Sequence, residues 1–233
     1  MNIALLGYGK MGKTIETIAL DRGHNIVLTY NGGDAAIHLK NCDVAIDFSL
    51  PSTAVHNISA CLEAGVPVIS GTTGWLKQYD AMVELCKANK GTFLYASNFS
   101  LGVNIFFELN ETLAKLMSKL EQYSANIVET HHTQKLDAPS GTAISLAQGI
   151  IKNSDYNTWS LDKPNKKELG IEALRIDNVP GTHEINYKSQ VDQITITHTA
   201  HSREGFALGA VIAAEFVHDK KGVFTMKDVL NIT

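Results

Sequence analysis

Asn2-Ile3-Ala4-Leu5-Leu6-Gly7-Tyr8-Gly9-Lys10-Met11-Gly12 joins a short apolar run to three glycines at GxGxxG spacing. An apolar run without polar alternation predicts a strand buried on both faces. Met11, Ile15, Ile18 and Ala19 then recur at helical spacing as far as Gly23, so the glycines lie between a strand and a helix. In that position the first glycine permits a tight turn, the second lets backbone approach a pyrophosphate, and the third lets helix and strand pack closely. The phosphates would sit at the helix N-terminus. Gly7, Tyr8, Gly9, Lys10, Met11 and Gly12 are therefore candidate cofactor-binding residues.

The same alternation continues outward. Strands are expected at Asn25–Thr29, Val44–Phe48, Val66–Ile69 and Thr92–Ala96, with helices following Pro51-Ser52 and Gly74. Strands alternating with helices make a parallel sheet covered on both faces, an α/β Rossmann-type dinucleotide-binding domain. Asp47-Phe48-Ser49, Gly71-Thr72-Thr73-Gly74 and Ser97-Asn98-Phe99-Ser100 all fall where strands finish. Ligands of open α/β sheets bind at that edge, which adds Phe48, Ser49, Gly71, Thr72, Thr73, Ser97, Asn98 and Phe99 to the cofactor candidates. The acid that usually holds the ribose 2′-OH after the second strand is missing: Thr29-Tyr30-Asn31-Gly32-Gly33 stands there, Asp34 comes late, and no Arg or Lys replaces it. NADH and NADPH are both open, with Lys40 or Asp34 as possible readers of the ribose.

From Asn98 the pattern changes. A long helix is expected over Gly102–Tyr123, a strand over Ala125–His132, and a helix over Thr142–Lys152, followed by a polar stretch, Asn153–Lys167. Ile171–Ile176, Thr182–Lys188 and Gln193–Thr199 alternate polar and apolar residues, as a mostly antiparallel sheet with one wet face does. The helix Phe206–Val217 and the short Met226–Leu230 segment then return to the first sheet. The expected division is residues 1–101 with 205–233 as the dinucleotide-binding domain, and 102–204 as an α+β domain for substrate and oligomerisation.

Composition excludes several classes. With 20 Lys+Arg, 24 Asp+Glu and a net charge of −4 over 233 residues, the chain lacks the basic footprint that nucleic acid or an anionic membrane needs. No apolar stretch reaches about 18 residues, and glycines interrupt the first apolar run, so a cytoplasmic protein is expected. Cys42, Cys61 and Cys86 are odd in number and lack CxxC spacing, which suits reduced core thiols.

The chemistry concentrates in Glu129-Thr130-His131-His132-Thr133-Gln134-Lys135-Leu136-Asp137-Ala138-Pro139-Ser140-Gly141-Thr142-Ala143. Consecutive strand residues point to opposite faces, so one imidazole at most faces a substrate, and a paired metal site is disfavoured. Ser140-Gly141-Thr142 opens a helix and offers backbone N–H groups to an anion, with Lys135 bringing a positive charge nearby. A small carboxylate would fit there.

These strings, with GYGKMG, VAIDFS, SGTTG, ASNFSLGVN and HSREGFALGA in order along nearly the whole chain, resemble the 4-hydroxy-tetrahydrodipicolinate reductase (dihydrodipicolinate reductase) family. The resemblance implies a homotetrameric, NAD(P)H-dependent enzyme of the diaminopimelate route to lysine, which reduces a cyclic dicarboxylate and releases water. It further implies Ala96 among the cofactor contacts, His131 as proton donor and acceptor, Lys135 as a second proton donor, and His132, Gly141 and Thr142 as substrate ligands; the helix-start reading adds Ser140 to the substrate candidates, and no metal is expected. Two other readings stay open at this point: a related reductase such as an aspartate dehydrogenase, and a non-catalytic dinucleotide sensor.

Overall fold

The computed structural model describes residues 1–32, 38–202 and 204–232. In chain order the elements are β1 (Asn2–Leu6), α1 (Lys10–Asp21), β2 (Asn25–Tyr30), β3 (Val44–Asp47), α2 (Pro51–Glu63), β4 (Val68–Ser70), α3 (Tyr79–Ala88) and β5 (Thr92–Tyr95). After them come α4 (Leu101–Met117), β6 (Ser124–His131), α5 (Gly141–Ile151), β7 (Thr158–Ser160), β8 (Glu168–Arg175), β9 (Gly181–Lys188) and β10 (Gln193–Ala200). The last are α6 (Glu204–Val217), β11 (Gly222–Phe224) and α7 (Met226–Val229). They form two compact units, Met1–Leu101 with Glu204–Thr233, and Gly102–Arg203.

The first unit is built on a six-stranded sheet of order β11-β5-β4-β3-β1-β2, parallel throughout. Its central strands are continuous apolar runs because both faces are covered. Ile3, Leu5, Val44 and Ile46 pack against Ile15 and Ala19 of α1 and against Ala207, Ala210 and Ala214 of α6. On the opposite face Ala4, Ala45 and Phe93 meet Ile58 and Leu62 of α2 and Met82 of α3. The returning helix α6 comes so close that a Cβ on Gly209 would stand 1.7 Å from the carbonyl oxygen of Phe99. Strand order reverses between β1 and β3, and the crevice at their carboxyl ends is where such sheets bind ligands.

The second unit has a five-stranded sheet of order β10-β9-β6-β8-β7. Its two longer ladders, β10 with β9 and β9 with β6, are antiparallel, while β8 and β7 run parallel to β6. Polar–apolar alternation reports which face is wet and carries no strand direction, so the parallel pairings were not legible in it. Phe106 of α4 and Ala143, Leu146 and Ile150 of α5 cover Ile127, Ile171 and Ile185 on one face.

One helix end and two short strands depart most from the sequence reading. Helix α4 stops at Met117 rather than Tyr123: Leu116 is 70% exposed and Leu120 39%, so no buried face rewards another turn. The polar stretch after α5 contains β7, and β11 extends the first sheet beside β5, both only three residues long. Cys61 and Cys86 are buried and Cys42 is half-buried, all as free thiols. Among the described residues no helix is long and apolar enough to cross a membrane.

Candidate active site

At the carboxyl edge of the first sheet, backbone hydrogen bonds continue the ladders into the loops. Gly7 N–H donates to Tyr30 O at 2.7 Å, Phe48 to Leu6 at 2.8 Å, and Gly71 to Asp47 at 2.9 Å. Gly7 has φ +94°, and a Cβ there would stand 2.1 Å from the carbonyl oxygen of Phe48, so the turn demands glycine. A Cβ on Gly12 would stand 2.3 Å from Gly7 O, which fixes the close approach of α1 to the turn. Gly9 is different: nothing lies within 4 Å of the Cβ it lacks, and as N-cap of α1 it brings no side chain to the first-turn N–H groups. Open space over a bare helix N-terminus is what a pyrophosphate requires, so these residues fit a dinucleotide.

Behind that edge lies a buried carboxylate. Asp47 is 0% exposed and accepts hydrogen bonds from Ser49 Oγ (2.7 Å), Asn57 Nδ2 (2.9 Å), Ser70 Oγ (2.8 Å) and Thr72 Oγ1 (2.8 Å). Thr72 also accepts from the Ser49 backbone at 2.8 Å. The hydroxyls of Ser49 and Thr72, expected to touch cofactor, are thus engaged internally, and Phe99 is buried against Phe48 with ring centroids 5.6 Å apart. Their loops present backbone instead. Tyr8 turns its hydroxyl to Glu16, and its backbone N–H donates to Asn31 Oδ1 at 2.6 Å, so the residue after β2 holds the glycine turn. Asp34 lies outside the described residues.

In the second unit, strand β6 alternates outward and inward, which places Glu129 and His131 on the helix-covered face with Ile127. Register brings two more groups to that face: Arg175 of β8 opposite His131, and His183 of β9 opposite Glu129. Glu129 is completely buried. Its Oε2 contacts His131 Nδ1, and its Oε1 accepts from Arg175 Nη2 at 3.0 Å and from the Ser140 backbone N–H at 3.3 Å. Burial opposes the charged form of Glu129, yet the hydrogen bonds from His131 and Arg175 prevail and hold its carboxyl below the usual carboxylate range. Burial, with His131 next in effect, pushes His183 down to about 4. Neutral at pH 7, it pairs through Nε2 with the Ser140 hydroxyl, 3.1 Å away.

Ser140, expected as a substrate ligand, engages its polar groups within the protein. It is 2% exposed, its hydroxyl also caps α5 by accepting from Ala143 N–H at 3.1 Å, and its amide is spent on Glu129. Gly141 is exposed and Thr142 half-buried, and nothing lies within 4 Å of a Cβ built on Gly141, so the first turn of α5 stays open. Lys135 Nζ donates to both carboxylate oxygens of Asp137 at 2.8 Å, and that bond holds Asp137 below its usual range. His132, one residue beyond β6, has a buried Nδ1 with no hydrogen-bond partner among the described residues. Glu129, His131 and His183 present ligand atoms within 4.8 Å of one another, the spacing of a metal set. Here the Arg175 guanidinium supplies the countercharge to Glu129, and that spacing serves an internal ion pair.

Residues 1–99 match the dihydrodipicolinate reductase N-terminus family and residues 102–230 its C-terminus counterpart. The chain belongs to the dihydrodipicolinate reductase family. A 4-hydroxy-tetrahydrodipicolinate reductase of Christiangramia forsetii is 57% identical over 99% of this chain and 98% of its own. One from Methanocaldococcus jannaschii is 34% identical over 98% and 81%. Among solved structures, a dipicolinate-bound dihydrodipicolinate reductase from Paenisporosarcina sp. TG-14 has a TM-score of 0.76 at 22% identity, covering 97% of each chain. An aspartate dehydrogenase from Thermotoga maritima has a TM-score of 0.53 at 10% identity over 96% of this chain and 99% of its own, a likeness of fold alone. Within this family fold, the groups that sequence reasoning missed are Glu129, Arg175 and His183. Glu129 was findable, since position i−2 on a strand shares the face of His131. Arg175 and His183 come from strands 44 and 52 positions away, and only register brings them in.

Proposed function

We propose that this chain reduces (2S,4S)-4-hydroxy-2,3,4,5-tetrahydrodipicolinate with NADH or NADPH and one proton, giving tetrahydrodipicolinate, the oxidised dinucleotide and water. The observation that carries the reading is the Ser140 N–H bond to the same carboxylate that holds His131, which sets the open start of α5 beside an imidazole. Bound NAD(P)H supplies the hydride, and the glycine turn with the Phe48–Ser49, Gly71–Thr73 and Ala96–Phe99 loops would hold it.

The chain's own residues do the rest. One substrate carboxylate is received by the N–H groups of Gly141 and Thr142, with His132 as a further ligand, as the family resemblance implies. The carboxylate of Glu129 orients His131 with the proton on Nδ1, so Nε2 is the atom turned to substrate. Carrying a proton on Nε2 as well, the His131 imidazolium delivers the one proton the reaction consumes as negative charge develops, and the Lys135 ammonium steadies that charge or supplies the proton in its place. Holding both carboxylates is chiefly an orientation task. The proposal extends to a cytoplasmic homotetramer, as the family resemblance implies.

The test is dinucleotide oxidation with freshly generated hydroxy-tetrahydrodipicolinate, set against aspartate with oxidised dinucleotide and oxaloacetate with ammonia. Turnover with the first alone is expected. Turnover with the amino acid pair, or with none, overturns the reading.

A further inference from the structure

We propose that Glu129 and Arg175 act together as positioning residues that hold both proton-handling side chains, His131 and Lys135, in one arrangement. The inference rests on the reductase reading for the roles of His131 and Lys135, and on geometry for the rest.

Arg175 divides its donors between two tasks. One is electrostatic: Nη2 lies 3.0 Å from Glu129 Oε1, so the completely buried carboxylate has its countercharge and stays ionised. An ionised Glu129 is a pure acceptor, which requires the proton of its His131 bond to sit on Nδ1. The other task is architectural. Nη2 also donates to the Asp137 carbonyl at 2.7 Å, Nε to the Lys135 carbonyl at 3.3 Å, and Nη1 to the Leu174 carbonyl at 2.7 Å. The backbone that carries Lys135 is thus fastened to the same guanidinium that balances the carboxylate beneath His131. Only a planar, forked donor satisfies a carboxylate and three carbonyls together, and a lysine there would supply charge without the fork.

Two further contacts support the unit. Ser140 N–H shares Glu129 Oε1 with Arg175, and the Ser140 hydroxyl is held by neutral His183, so the start of α5 is anchored to the same carboxylate. His131 and His183 meet edge to face with centroids 5.1 Å apart, which limits rotation of the His131 ring.

The experiment combines steady-state kinetics with proton NMR of 15N-histidine-labelled protein. In the parent, a far-downfield His131 Nδ1–H resonance is expected, identified by its absence in His131→Gln. Glu129→Gln should abolish it and lower kcat about 100-fold, with KM for substrate and dinucleotide within threefold of the parent. Arg175→Met should lower kcat at least tenfold. Arg175→Lys should keep the resonance but recover less than half of that loss, because charge returns without the bonds to the loop. If Glu129→Gln fails to fold, the Arg175→Lys comparison decides the matter, since it preserves the buried charge. The proposal is overturned by a parent with no Glu129-dependent resonance, by variants whose kcat stays within threefold of the parent, by losses confined to KM, or by full recovery in Arg175→Lys. Absence of turnover with the named substrate, with the resonance present and Glu129-dependent, would sink the reductase reading alone.

Discussion

The hydroxyl of Thr72 lies 2.8 Å from the carboxylate of Asp47, which is 0% exposed. Four side chains from β3, β4, α2 and their loops spend their hydrogen bonds on that one group. Asp47→Ala strands all four, and the expected loss of stability is about 3–5 kcal/mol, the scale for removing one partner of a buried charged network. Urea unfolding of parent and variant measures it. A loss below about 1 kcal/mol would mean the donors find other partners.

The glycine turn separates two kinds of necessity. Gly7→Ala forces a Cβ onto Phe48 at a positive φ, so both stability and dinucleotide affinity should fall. Gly9→Ala meets nothing within 4 Å and should melt like the parent. Its dinucleotide Kd should nonetheless rise at least tenfold, because the new methyl occupies the approach of the pyrophosphate. Calorimetric titration checks this, and unchanged affinity in Gly9→Ala would place the phosphates elsewhere.

His131→Gln removes the proposed proton donor while leaving a side chain able to hydrogen-bond Glu129. We expect kcat to fall about 10²- to 10⁴-fold with dinucleotide Kd unchanged. If His132→Gln loses turnover while His131→Gln keeps it, the assignment of the two rings is reversed.

His183 makes stability depend on pH. Its folded value of about 4 lies below the ordinary histidine value near 6.5, so the unfolded chain binds the proton first. The neutral-ring contribution is complete above about pH 6.5 and is lost as pH falls toward 4, with a slope of up to about 1.4 kcal/mol per pH unit. Glu129, also lowered on folding, adds a loss that begins further into the acid range. Urea midpoints from pH 4 to 7.5 should show a steeper fall for the parent than for His183→Gln. Parallel curves would contradict it.

Dipicolinate should inhibit competitively with substrate, since it presents two carboxylates to the open start of α5 and to Lys135. Lys135→Met should weaken it by about 1.5–3 kcal/mol, the range for a hydrogen bond to a charged group. Gly141→Val, where no neighbour crowds a Cβ, should weaken it by filling the anion's place. Competition with dinucleotide instead, or equal affinity in Lys135→Met, counts against this site.

Much of this architecture was legible because local patterns and global packing agree. Continuous runs such as Val44–Asp47 are buried on both faces, and three glycines stand where strand meets helix. The candidate site was legible only along the chain, through His131, Lys135 and the α5 start. Arg175 and His183 were not, because pairing register is a long-range property with no local signature. Strands β7 and β11 are too short to show a period, and in α4 the apolar spacing outlasts the helix because Leu120 has little to bury against.

The return of α6, β11 and α7 to the first unit has a consequence for biosynthesis. Until residues 204–232 leave the ribosome, the sheet face bearing Ile3, Leu5 and Ile46 lacks its α6 layer, and β5 ends the sheet as a bare edge. About 100 residues of the second unit are translated in that interval, several seconds at ordinary elongation rates. The nascent first unit then exposes apolar surface and an unpaired strand edge, the features chaperones recognise, whereas the second, contiguous in sequence, can close its own core as soon as it emerges.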